Sequence, residues 1–218
     1  MTDARGGNDA ATRESAEAPK RFTWRARAVR VARAQARRLL EWVETRRAQT
    51  HRRKPAWVIR RLRSARTVLI LCQGNVSRSV FAASVLAATL KDQRTMTVRS
   101  AGLDTRPGWR AHPRVVTRCE ALGIDIRGHG SVVVTAAMVK AADVVFVMEV
   151  SQLVAMTRRF WSARRKTFLL TCLAPEVPMD IEDPAGKPDA AVDACVDHVA
   201  QALKPLIDVF AGRQAAAR

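Results

Sequence analysis

From Thr67 onward the chain alternates short, unbroken apolar runs with longer stretches in which apolar residues return every third or fourth position. Val68-Leu69-Ile70-Leu71 and Val144-Val145-Phe146-Val147 show no polar alternation, as expected of parallel strands covered on both faces. The pattern predicts strands over 67–72, 97–100, 143–148 and 167–172, with helices over about 79–90, 113–122, 136–141, 151–161 and 189–210. Gly123 is placed to end the second of these helices, Thr135 to cap the third and Ser151 to cap the fourth. Strands alternating with helices imply an α/β domain over residues 67–218, a small doubly wound four-stranded parallel sheet with helices on both faces.

The first 66 residues have a different texture. Residues 1–19 are polar and small without apolar period, and read as a disordered tail. Residues 20–66 read as a basic amphipathic helical extension. From Phe22 the apolar positions Ala26, Val29, Ala36, Leu40 and Val43 recur at helical spacing, while Arg25, Arg27, Arg30, Arg37 and Arg38 fill other faces. A polar break at Thr50–Pro55 precedes a second short helical stretch, 56–66, with Trp57, Val58 and Leu62 as its apolar members.

Charge sharpens this division. Residues 1–66 hold 19 of the 38 Lys and Arg but six of the 20 Asp and Glu, so +13 of the net +18 lies there. Three roles suit such an extension: docking its apolar face on the α/β domain, lying on an anionic membrane surface, or binding nucleic acid through phosphates. The regular apolar stripe favours the first two over a purely electrostatic tail. No apolar run reaches the length of a membrane span, and the start lacks the pattern of a secretion signal. The four cysteines, Cys72, Cys119, Cys172 and Cys195, are scattered with no C-x-x-C pair, which argues against both a zinc site and a disulfide framework. Reduced thiols in a cytoplasmic protein, peripheral to the membrane if the extension binds lipid, are the expectation; no metal or cofactor is implied.

The densest chemistry lies in Cys72-Gln73-Gly74-Asn75-Val76-Ser77-Arg78-Ser79, between the first strand and a helix. A loop leaving the carboxyl end of a buried strand and entering a helix turns backbone N–H groups toward one anion. Cationic surroundings and convergent donors favour the thiolate of Cys72, which a free thiol titrating near roughly pH 8.5 does not expose at neutrality. Arg78 offers a planar fork able to hold two phosphate oxygens, and Ser79 a hydroxyl for the sulfur. Gly74 and Asn75 suit the tight, partly left-handed backbone of such a cradle. An alkoxide or phenoxide leaves poorly without a proton, and a carboxyl group of the acidic cluster Asp180, Glu182 and Asp183 can deliver one, with Pro184 fixing the backbone so as to aim Asp183 rather than Glu182.

With these residues in view, the stretch from about 67 to 210 resembles the low-molecular-weight protein tyrosine phosphatases, a family that also includes some arsenate reductases and phosphoarginine phosphatases. The likeness rests on the Cys-x5-Arg-Ser loop, Ser100-Ala101-Gly102, Gly123-Ile124-Asp125, His129, Met148-Glu149 and Asp183-Pro184. It implies a phosphotyrosine phosphatase I-like fold and a cysteine-dependent phosphatase acting through a phosphocysteine on phosphorylated protein or a small phosphomonoester. It assigns Cys72 as nucleophile, Arg78 as phosphate clamp and Asp183 as acid then base. Gln73, Gly74, Asn75, Val76, Ser77 and Ser79 form or support the loop, with Ser100 and His129 behind it.

Several departures bear on substrate. Ser77 stands where many relatives have a second cysteine, and the cysteines a reductase would need for a disulfide relay are absent from the expected places. Val76 occupies a position where a bulky aliphatic goes with tyrosine phosphatases and threonine with phosphoarginine enzymes. Ala185-Gly186-Lys187 replaces the aromatic residues that flank the ring in tyrosine-specific relatives, leaving Trp109 as a candidate wall. Protein phosphotyrosine is the first candidate substrate. The alternatives are a phosphatase for a non-aromatic substrate such as phosphoarginine, or a low-activity phosphate-sensing or scaffold protein of the same fold.

Overall fold

The computed structural model describes residues 24–91 and 96–216; the expected tail at 1–19 lies outside them. These residues fall into two compact units, the first ending at Ala36 and the second running from Arg37. Helix α1 spans Trp24–Arg53 and α2 spans Ala56–Ser64. The α/β part then runs β1 (Thr67–Cys72), α3 (Arg78–Thr89), β2 (Thr97–Gly102), α4 (Pro113–Glu120), α5 (Ala136–Ala141), β3 (Val144–Val147), α6 (Val150–Arg159), β4 (Thr167–Leu169) and α7 (Asp189–Ala216).

All strand pairs are parallel, in the order β2-β1-β3-β4. Each strand feeds both layers of the core, as the unbroken apolar runs require. Val68, Ile70 and Cys72 face a cluster with Phe81, Leu86, Val115, Phe146, Phe168, Leu203 and Phe210, whereas Leu69 and Leu71 face Val139, Val145, Leu153, Met156 and Leu169. Helices α3, α4 and α7 supply the first layer, α5 and α6 the second. The connection leaving β1 and the one reaching β3 part on opposite sides of the sheet, so a crevice opens between the carboxyl ends of these neighbouring strands.

The helical boundaries follow local chemistry. Thr135 caps α5 through its hydroxyl oxygen, which accepts from the Met138 amide. Gly123, at φ +71°, ends the turn after α4. Ser151 does not cap α6: the helix starts at Val150 with Glu149 in the cap position, and the Ser151 hydroxyl donates to the Glu149 carboxylate instead. The run at 167–172 yields a shorter strand than expected, since the chain tightens into a 3-10 turn at Leu170–Leu173.

The second half of the extension packs on this framework. Val58 and Leu62 of α2 are fully buried in the first core layer, each worth about 1.5–3 kcal/mol relative to exposure. Ala48 of α1 joins the second layer. Glu44, with no exposed surface, accepts from Arg47 Nε (2.6 Å), Arg164 Nε (2.6 Å) and Thr157 Oγ1 (3.1 Å). By contrast Trp24, Val29, Val31, Leu39 and Trp42 remain exposed. No helix among the described residues is long and apolar enough to cross a membrane.

Candidate active site

The loop after β1 folds back over the end of its own strand. Asn75 sits at φ +53°, a left-handed conformation that asparagine tolerates better than most side chains. Its fully buried side chain is the hub of the loop: Nδ2 donates to Ser79 Oγ (3.0 Å) and Ser100 Oγ (3.0 Å), and Oδ1 accepts from the Val132 amide (2.9 Å). The Asn75 carbonyl lies 2.8 Å from His129 Nε2. A carbonyl only accepts, so Nε2 is the protonated ring nitrogen. Thr105 Oγ1 donates to the Gly74 carbonyl at 2.7 Å, and the amides of Leu103 and Asp104 donate to the carbonyls of Cys72 and Gln73. That approach explains Gly102, where a Cβ would come within 2.9 Å of the Gln73 carbonyl oxygen and 2.8 Å of Thr105 Cγ2.

Cys72 Sγ lies inside this cage, 3.0 Å from Ser79 Oγ and 3.2 Å from the Asn75 amide nitrogen that donates to it. Either Ser79 Oγ or a Cys72 thiol can donate in the contact between them, but a thiolate only accepts, and in that form the Ser79 hydroxyl donates to it. Two donors can therefore converge on a Cys72 thiolate. The other three cysteines are free, buried and apart, and burial pushes Cys119 and Cys195 up to about 11 and Cys172 up to about 12.

Arg78, the first residue of α3, is 1% exposed, and both of its Nη atoms are engaged. Nη1 donates to the Glu149 carboxylate and to the Ile181 carbonyl (2.8 Å), and Nη2 donates to the Asp183 carboxylate. Asp183 turns back on its own loop, where Oδ1 accepts from the Ala185 amide (3.1 Å) and Gly186 closes the turn at φ +73°.

A cleft of about 430 Å³ brings together Cys72, Gln73, Gly74, Val76, Ser77, Arg78, Trp109, Asp183 and Ala185. Asn75, Ser79, Ser100 and His129 stand behind it as the loop's scaffold. Pro184, Gly186 and Lys187 from the same Asp-Pro stretch line the cleft too, together with His112 and with Asp104 and Val192, the last two not singled out in the sequence. Nor was Glu149 recognised as the second carboxylate on Arg78, although its place directly after β3, beside the crevice, was a signal.

The sequence pattern described as low molecular weight phosphotyrosine protein phosphatase matches residues 67–215. The chain belongs to this family. Among its relatives is the probable low molecular weight protein-tyrosine-phosphatase EpsP of Ralstonia nicotianae, 30% identical over 134 residues, which span 62% of this chain and 88% of the relative. The tyrosine phosphatase Wzb of Escherichia coli K30, solved with sulphate, superposes with a TM-score of 0.60 at 27% identity, covering 66% of this chain and 97% of Wzb. The YwlE arginine phosphatase of Geobacillus stearothermophilus is similar as well, with a TM-score of 0.59 at 28% identity over 69% of this chain and 94% of that one. Like its relatives in the low molecular weight phosphatase family, the chain is a cysteine-based phosphatase; the matched stretch excludes α1 and α2.

Proposed function

We propose that this phosphatase hydrolyses phosphomonoesters in two displacements at Cys72, with phosphotyrosine in proteins as the first substrate class. The observation that carries the proposal is the convergence of the Ser79 hydroxyl and the Asn75 amide on Cys72 Sγ, in a cleft shared with Arg78 and Asp183. In the first step the thiolate forms an S–P bond as the P–O bond breaks. Asp183, protonated, gives its proton to the departing oxygen. In the second, Asp183 as carboxylate takes a proton from water while the water oxygen attacks phosphorus. The S–P bond then breaks, releasing inorganic phosphate and the thiolate, with Ser79 and Asn75 donating to the returning charge. Arg78 holds the equatorial oxygens through both transition states.

A second reading keeps this chemistry and changes the substrate. Trp109 is the one indole or phenyl ring lining the cleft among the described residues, and Ala185, Gly186 and Lys187 form the facing rim. A rim with one aromatic wall suits a non-aromatic phosphoryl compound such as phosphoarginine as well as a phenol. Steady-state hydrolysis of aryl phosphate, phosphotyrosyl peptide and phosphoarginine by reduced protein tests both readings. Turnover lost in Cys72→Ser supports the mechanism, and the ratio of kcat/KM values assigns the substrate. Wild-type protein that binds phosphate but never turns over would instead be a sensor or scaffold.

A further inference from the structure

The family likeness begins at residue 67, yet the chain before it reaches the segment that leads into Asp183. The reach is made by Arg52, in the last turn of α1. Its Nη2 donates to the carbonyls of Pro175 (2.9 Å) and Val177 (2.6 Å), and its Nη1 to that of Thr171 (3.4 Å). These three carbonyls belong to the irregular stretch between β4 and α7, which holds the acid in the mechanism proposed above.

Arg52 is fixed from behind. About two turns earlier, Glu44 is buried among Arg47, Arg164 and Thr157, and Arg47 Nη1 donates to the carbonyls of Arg164 (2.7 Å) and of Thr167 (3.2 Å) at the start of β4. His51 packs against Trp57 and Phe168, with ring centroids 5.5 and 5.2 Å away, and those two rings meet each other at 5.5 Å. A buried carboxylate with three donors and a three-ring cluster leave that part of α1 little freedom to slide.

Beyond Val177 the chain is stapled almost residue by residue. The Pro178 carbonyl meets His198 Nε2 (3.1 Å), and the Met179 carbonyl accepts from Thr171 Oγ1 (2.7 Å). Asp180 accepts from the Val150 amide (2.9 Å), the Ile181 amide donates to the Met148 carbonyl (2.9 Å), and the Ile181 carbonyl accepts from Arg78 (2.8 Å). Arg52 supplies the staples at the upstream end of this series, and Asp183 is at the other end.

We propose that Arg52 is a positioning residue for Asp183: the extension acts as a strut whose guanidinium sets the path of residues 175–183 and so the placement of the general acid. The proposal rests on the reading of Asp183 as that acid. Removing the strut slackens the approach to Asp183 without touching the Cys72 loop, so proton delivery suffers more than nucleophilic attack.

The test uses full-length Arg52→Ala, Arg52→Lys, Asp183→Asn and the double variant Arg52→Ala/Asp183→Asn. Each is assayed for kcat/KM on an aryl phosphate with an acidic phenol and on an alkyl phosphate whose alcohol needs a proton to leave. Arg52→Ala should lose roughly tenfold more on the alkyl ester than on the activated aryl ester, a fraction of the full contribution of a general acid. Arg52→Lys should recover part of that loss, and Arg52→Ala should add nothing further once Asp183 is Asn. Equal losses on both esters, multiplying with Asp183→Asn, would mark Arg52 as merely structural and overturn the proposal. Amide hydrogen exchange across 175–183 reads the tether without catalysis: faster exchange in Arg52→Ala supports it, and unchanged exchange sinks it. Wild-type protein without turnover would remove the hydrolase reading and leave the exchange measurement to decide the strut.

Discussion

Asp183 is ion-paired with Arg78, which also holds Glu149, so the acid and the phosphate clamp of the proposed mechanism grip one another within the cleft. An entering phosphate has to take over the Nη2 donor that the Asp183 carboxylate now holds. Asp183→Asn removes the competing charge and the proton source together. Hydrolysis of a phosphomonoester with a poor leaving group should fall about 10²- to 10⁴-fold. Inorganic phosphate or tungstate, by contrast, should bind more tightly to the variant, by about three- to tenfold in its inhibition constant or by calorimetry. Weaker oxyanion binding by Asp183→Asn would contradict the competition.

Asn75 combines two separable demands, a left-handed backbone and a side chain with three partners. Asn75→Ala strains the first and abandons the second, leaving the Val132 amide and the Ser79 and Ser100 hydroxyls without their partner; a loss of about 2–4 kcal/mol in denaturant unfolding is expected. Asn75→Gly relieves the backbone alone. It should recover about 1 kcal/mol of stability while kcat remains low, because the Ser79 hydroxyl is no longer oriented toward Cys72.

His51 gives the stability a dependence on pH that does not involve the cleft. Burial against Trp57 and Phe168, with Arg47 nearby, lowers its pKa from the usual 6.5 to about 4. The folded state thus resists a proton that the unfolded chain accepts. Stability is complete above about pH 6.5 and declines as pH falls toward 4. The total from this group is about 2 kcal/mol after allowing for solvent at the ring edge. Thermal or urea unfolding from pH 7 to 4 should show that slope, and His51→Phe, which keeps a ring but cannot titrate, should flatten it.

The four thiols divide by chemistry as well as by place. Cys119, Cys172 and Cys195 are held protonated at neutral pH by burial. Cys195 also borders a second groove of about 300 Å³ behind the Asp183 loop, so its inertness tests protonation more directly than burial does. Brief iodoacetate treatment of native protein near pH 7 should alkylate Cys72 alone by peptide mass mapping, and inorganic phosphate should protect it.

Strand and loop signals carried far in this sequence because they are local. The runs 68–71 and 144–147 could only be strands covered on both sides, and Cys72, Arg78 and Ser79 lie within one turn of the same loop. Asp183 is remote, yet its proline and its chemistry marked it. Glu149 and Lys187 were harder: a single carboxylate or ammonium after a strand or in a turn has no periodic signature, and only folding shows what it meets. Arg52 was least legible of all. In a stretch crowded with arginines, nothing in composition distinguishes Arg52, which turns inward to three carbonyls, or Arg47, which turns to Glu44 and two more, from arginines that face water.

The burial of Val58 and Leu62 and the enclosure of Glu44 have a practical corollary for dissecting the molecule. Inheritance and packing draw the edge of this enzyme in different places: the family pattern opens at residue 67, whereas the compact unit opens at Arg37. A fragment trimmed to the ancestral edge would retain every side chain that handles phosphate. It would also carry a raw seam where α1 and α2 had lain, with Arg164 and Thr157 stripped of their carboxylate and Phe168 bared. Trimming to the packing edge leaves that seam closed.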